Sequence, residues 1–215
     1  MKPVLPVPCL MLVTEPWALL PQIVRQAVSG GVDVVQWRDK DMPKTVLREQ
    51  AEAMRSAMPA PKLLMTNHTG KMQKAGDRNL MQADGLHLPE SGQSVSEVRQ
   101  IVGPDLLIGC SVHSVEGAKK AADEGADYLL AGTIFASQSH PEVVPRGWVL
   151  LAEIAAVVDL PLLAIGGITP QNLGLCLDAG TVGVAVLSPI MQASDPQKAA
   201  QAYRTALDEA WSKRQ

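Results

Sequence analysis

Short apolar runs alternate with longer amphipathic stretches along the whole chain. One set comprises Leu10 to Val13, Leu63 to Met65, Leu106 to Ile108 and Leu162 to Ile165. A second set recurs at about twice the length of a βα unit: Gly30-Gly31-Val32-Asp33-Val34-Val35, Ala83-Asp84-Gly85-Leu86-His87-Leu88, Gly125-Ala126-Asp127-Tyr128-Leu129-Leu130 and Ala179-Gly180-Thr181-Val182-Gly183-Val184. The runs are rich in Val, Ile and Leu and do not alternate with polar residues. That is the pattern of parallel strands covered on both faces, so the two sets interleave as eight strands. Between them, Ser96 to Val102 shows helical spacing, and Ser114 opens an Ala-rich helix that stops near Gly125. Thr169-Pro170 reads as a hydroxyl cap followed by proline at the first helical position, and a last helix is expected from about Asp195 to Ser212. The whole chain, residues 1–215, is therefore expected to be a single (β/α)₈ TIM-barrel domain of the α/β class, with its ligand at the C-terminal ends of the strands. An open doubly wound sheet is disfavoured, because the glycine-rich turn comes late and lacks the G-x-G-x-x-G spacing that follows a first strand.

The residues just after each apolar run become the candidates for chemistry. Gln36, Arg38 and Lys40 follow the second run on one side of the chain and suit a phosphate or diphosphate. Thr66-Asn67-His68, His87, Ser111-Val112-His113 and Ser137-Gln138-Ser139-His140 put all four histidines at strand ends or in the loop after strand six. Imidazole suits acid/base work near neutral pH. His87, between two leucines, is expected to serve the core, and His113 fits a helix entry. No pair of histidines has zinc-ligand spacing, so no protein metal site is expected. The segment from Leu162 to Ile190 joins a strand, the Gly166-Gly167 turn, a second strand and Leu187-Ser188, the arrangement that holds a phosphate after strands seven and eight. The loop from Thr133 to Trp148 is the longest connection and a candidate lid.

Composition narrows the class. With 215 residues, 47% of them hydrophobic, the chain can bury one sizeable core. A net charge of −3 and dispersed basic residues give no footprint for nucleic acid or an anionic membrane. Cys9, Cys110 and Cys176 fit neither a disulfide framework nor a metal clip, which points to a reducing cytoplasm. Prolines interrupt the apolar residues near Met1, so neither a signal segment nor a membrane span is expected.

Seven motifs in order resemble the thiamin phosphate synthase and TenI family: the Leu-Val-Thr first strand, Val35-Gln36-Trp37-Arg38-Asp39-Lys40, Ala83 to Leu88, Gly109-Cys110-Ser111-Val112-His113, Gly132-Thr133-Ile134-Phe135, Ala164-Ile165-Gly166-Gly167-Ile168-Thr169 and Val184 to Ser188. The resemblance covers Leu10 to about Pro196. It implies a barrel, commonly a homodimer, that works on small phosphorylated thiamin precursors. In synthases of the family a pyrimidine diphosphate loses pyrophosphate with the help of magnesium, and the nitrogen of a thiazole phosphate captures the carbocation.

Carried onto this chain, the resemblance assigns Ser137, Ser139, Gly166, Gly167, Leu187 and Ser188 to a thiazole phosphate. It assigns Gln36, Arg38, Lys40, Asn67 and Ser111 to a pyrimidine diphosphate. His140 stands where the family has a lysine. The two magnesium aspartates are replaced by His68, after Asn67, and by Gly92, with Glu90 two residues out of register. These departures favour a TenI-like enzyme that tautomerises a thiazole phosphate without cofactor. Thr133 replaces the usual TenI histidine, so His140 or His68 becomes the expected proton shuttle. The alternatives are a thiamin phosphate synthase, with magnesium, and a non-catalytic phosphate-binding or regulatory protein.

Overall fold

The computed structural model describes residues 2–39, 43–67, 82–137, 142 and 144–214. Eight parallel strands close into a barrel in chain order, with β8 pairing back onto β1. They are β1 (Cys9–Val13), β2 (Val34–Trp37), β3 (Leu63–Thr66), β4 (Gly85–Leu88), β5 (Leu107–Val112), β6 (Tyr128–Ala131), β7 (Leu162–Ile165) and β8 (Gly183–Val186). The helices described are α1 (Leu20–Ser29), α2 (Lys44–Ala57), α3 (Val95–Val102), α4 (Val115–Asp123), α5 (Gly147–Ala155), α6 (Leu173–Asp178), α7 (Ser188–Met191) and α8 (Pro196–Ser212). The chain is thus a (β/α)₈ TIM barrel.

Strand alternation divides the core in two. Met11, Val34, Met65, Leu107, Tyr128, Leu163 and Ala185 fill the barrel, whereas Leu12, Val35, Leu64, Ile108, Leu129, Ala164 and Val184 face outward against the helices. Both sets are buried, which is why the strand sequences lack alternation.

The recurring Asp of the second set has one repeated task at the foot of the barrel. Asp33 Oδ2 accepts the Leu10 N–H at 3.0 Å, Asp84 Oδ2 that of Leu64 at 2.7 Å, and Asp127 Oδ2 that of Ile108 at 2.7 Å. Each of these aspartates also donates its own N–H to the same residue's carbonyl. Cations close each clamp: Lys62 and Arg204 on Asp33, Arg55 on Asp84, Arg99 and Lys2 on Asp127. In the fourth repeat Val182 keeps the backbone bond, to Leu162 O, without a carboxylate.

Helix starts follow local chemistry. Ser94 and Glu97 form a reciprocal capping box for α3, Ser114 caps α4 and Asp195 caps α8. One expectation is corrected: Thr169-Pro170 does not begin the helix after β7, which starts at Leu173. Thr169 Oγ1 accepts the Asn172 N–H while Asn172 Oδ1 accepts that of Thr169, so this hydroxyl closes a turn one step earlier. Among the described residues no helix is long and apolar enough to cross a membrane.

Candidate functional site

The inward positions at the C-terminal ends of the strands form the floor of a cavity with two lobes. One lobe, of about 540 Å³, lies over β6, β7 and β8; the other, of about 660 Å³, lies over β2 to β5. Ser111 and His113 line both lobes, so the two meet at the end of β5.

The floors differ chemically. Under the first lobe lie Leu130, Ile165 and Ala185, an apolar seat. Its rim carries the Gly166-Gly167 turn, Thr133, Ser137, Thr169 and Ser188. Gly167 has φ +63°, and a Cβ there would stand 2.3 Å from Ala136 O, so glycine alone lets the loop after β6 pack on this turn. The packing is hydrogen-bonded: Ile134 and Phe135 donate their N–H groups to Ile165 O and Gly166 O at 3.0 and 2.9 Å. Asn172 Nδ2 donates to Gly167 O at 2.9 Å and fixes the turn from its other side. The return end of the loop is pinned as well, with Arg146 N bonded to Thr133 O and Gly147 N to Ile134 O. Ser188 opens α7, a single turn whose first carbonyls are taken within the element.

The second floor is polar and is made by Gln36, His87 and Ser111. Gln36 is 3% exposed, and its Nε2 has no hydrogen-bond partner among the described residues. A buried amide left in this state is costly unless a ligand acceptor meets it. His87 bridges two hydroxyls, with Nδ1 2.9 Å from Tyr128 Oη and Nε2 2.9 Å from Ser111 Oγ. Burial pushes its pKa down to about 3, so the ring is neutral and acts as a fixed spacer that orients Ser111. Arg38 lines the wall above Gln36, its backbone N–H held by Thr14 Oγ1 at 3.1 Å. Asn67 lies beside it and accepts the Asp39 N–H at 3.3 Å.

The structure brings Gln36, Arg38, Asn67 and Ser111 together in the second lobe, and Ser111, Ser137, Gly166, Gly167, Leu187 and Ser188 in the first. Lys40, His68, Ser139 and His140 lie outside the described residues. His87 has the core position expected of it. His113, read as a helix entry, does precede the cap of α4, but it also faces both lobes. Glu90, weighed as a displaced magnesium ligand, is bound through both oxygens to His113. Sequence reasoning missed Thr14, Tyr128 and Asn172. Of these, Asn172 had a signal, its i+3 spacing from Thr169; Tyr128 was a lone hydroxyl in an apolar run.

A family model described as thiamine monophosphate synthase matches residues 10–190. The chain is 39% identical over 185 residues to a thiamine-phosphate synthase of Roseiflexus castenholzii, covering 84% of this chain and 78% of that one. It is 40% identical over 190 residues to the thiamine-phosphate synthase of Methanoculleus marisnigri, covering 86% of each. Among solved structures, thiamine phosphate pyrophosphorylase from Pyrococcus furiosus superposes with a TM-score of 0.81 at 29% identity, covering 94% of this chain and 96% of that one. The match spans the strands that build both lobes, and the chain belongs to the thiamine monophosphate synthase family of enzymes.

Proposed function

We propose that this protein, like the relatives named thiamine-phosphate synthase, makes a thiamin phosphate, joining a pyrimidine diphosphate to a thiazole phosphate with release of pyrophosphate. The observation that carries the reading is the cavity of two chemically distinct lobes meeting at Ser111 and His113. An apolar floor with a glycine turn and hydroxyls at its rim suits an uncharged ring bearing a monophosphate. A polar floor with an unmatched amide donor suits a ring rich in acceptor nitrogens, and Arg38 supplies charge for a diphosphate. Ser137, Gly166, Gly167, Leu187 and Ser188 hold the thiazole phosphate; Gln36, Arg38, Asn67 and Ser111 hold the pyrimidine partner. Lys40 and Ser139 keep the substrate-binding roles that the family resemblance assigns to them, whereas the proton-shuttle role of His140 or His68 belongs to the tautomerase reading.

In this arrangement the chain acts chiefly by placement. The shared wall at Ser111 sets the thiazole nitrogen against the pyrimidine methylene, so that the nitrogen is in place to capture the carbocation left when the C–O bond to diphosphate breaks. His87 and Tyr128 keep Ser111 from rotating away. The family implies a magnesium ion at the diphosphate. Among the described residues lining the second lobe, Glu90 is the only carboxylate, and it is committed to His113; the others offer amides, imidazoles, a guanidinium and hydroxyls. That donor set does not fit a protein-held Mg²⁺, which takes carboxylate and water oxygen.

Tautomerisation, the reading favoured by the sequence, would use the monophosphate lobe and leave the polar floor of the second without a task. The purified protein should be incubated with both substrates, with and without Mg²⁺, while condensation and deuterium exchange are followed separately. Condensation is the expected result. Exchange without condensation would establish the tautomerase instead, and tight binding with neither would establish a binding protein.

A further inference from the structure

His113 sits where the two lobes meet, and it has a partner. Glu90 Oε2 lies 2.6 Å from His113 Nδ1, and Glu90 Oε1 accepts the His113 backbone N–H at 3.1 Å. A carboxylate on Nδ1 holds a proton there and leaves Nε2 as the ring atom that can exchange a proton with a ligand. The two side chains are 49% and 35% exposed, so the ring can be recharged from water.

A second observation shows that the pair is built into the fold. Gly117 lies in the first turn of α4, and a Cβ at that position would stand 2.1 Å from Glu90 Oε1. Glycine weakens a helix interior relative to alanine. Here it opens the seat in which the Glu90 carboxylate rests.

We propose that His113, oriented by Glu90, is the general acid that protonates the departing diphosphate. This rests on the synthase reading. The methylene C–O bond breaks and its electron pair stays on the diphosphate oxygen, which takes the proton from His113 Nε2. The lone pair of the thiazole nitrogen forms the new C–N bond. His113 enters the step with both ring nitrogens protonated, leaves it neutral with Nδ1–H on Glu90, and regains its proton from solvent. Proton donation thereby offsets leaving-group charge that the described donors of the second lobe do not offset with a metal.

The test is steady-state condensation by the wild-type chain, His113→Ala and Glu90→Gln. His113→Ala should lower kcat about 100-fold with KM within about threefold, and added imidazole should restore at least about tenfold of the loss. Glu90→Gln, which keeps the shape of the seat, should lower kcat about tenfold at unchanged KM and alter the solvent isotope effect. A His113→Ala kcat within about twofold of wild type, a loss confined to KM, or a kcat loss that imidazole does not rescue overturns the proposal. If His113→Ala does not fold, Glu90→Gln decides: an unchanged kcat overturns it. Absence of condensation by the wild-type chain removes the synthase reading and the proposal together, whereas fast condensation by His113→Ala removes the proposal alone.

Discussion

His87 shows how a single side chain can be polar, central and still chemically inert. Its ring is buried among barrel residues and spans Tyr128 and Ser111, and burial depresses its pKa to about 3. The unfolded chain has an ordinary imidazole near 6.5, so it takes up a proton below that pH and the folded protein does not. Stability from this group is complete above about pH 6.5 and falls as the pH drops toward 3, by roughly 1.4 kcal/mol per pH unit. Urea unfolding at pH 7 and pH 5 should therefore show a smaller pH-dependent loss in His87→Gln than in wild type, by about 2 kcal/mol. Equal losses in the two proteins would mean that His87 carries a charge in the folded state. Gln36 is the complementary case, a buried amide whose Nε2 has no partner among the described residues, a cost that a ligand acceptor would meet.

At the scale of elements, the rim of the first lobe depends on two connections that hold each other. The loop after β6 lies on the Gly166-Gly167 turn, and Asn172, just before α6, ties that turn from below. Gly167→Ala places a side chain at positive φ and drives its Cβ against Ala136 O and Phe135 O. The cost should be about 2 kcal/mol or more in stability, with at least a tenfold loss of thiazole phosphate affinity as the loop shifts. Unfolding and titration calorimetry check the two effects; normal affinity in a destabilised variant would show that the turn supports the barrel but not the ligand. The helix after β7 also shows why a cap signal fixes an element's start only approximately. Thr169-Pro170 carries the correct chemistry, and Thr169 and Asn172 accept each other's backbone N–H groups, yet the turn they close is not continuous helix, which starts at Leu173.

Across the whole molecule, the aspartate clamps lock strand pairs at the end of the barrel opposite the cavity. Asp127 accepts a strand N–H and pairs with Arg99 and Lys2, so its removal leaves a backbone donor and a guanidinium under-satisfied together. Asp127→Ala should cost about 2–4 kcal/mol in urea unfolding while kcat remains near the wild-type value. A loss under about 0.5 kcal/mol would mean that the clamp is replaced by water. This separation of a stabilising foot from a chemical rim is characteristic of βα barrels.

The apolar runs determined the barrel by themselves, because a strand covered on both faces has no polar alternation to hide it and the repeat counts the βα units. The strand-end rule likewise singles out Gln36, Ser111, Gly166 and Ser188, all of which line the pocket. Only the tertiary structure decided what those residues are next to. That the pocket has two floors of opposite polarity depends on which inward residues of eight separate strands come level with one another. That Glu90 is bound to His113 depends on a contact across 23 residues, through a seat opened by Gly117. Periodicity is local and survives in the sequence; pairing between distant side chains is set by strand register and helix placement, which only the closed barrel fixes.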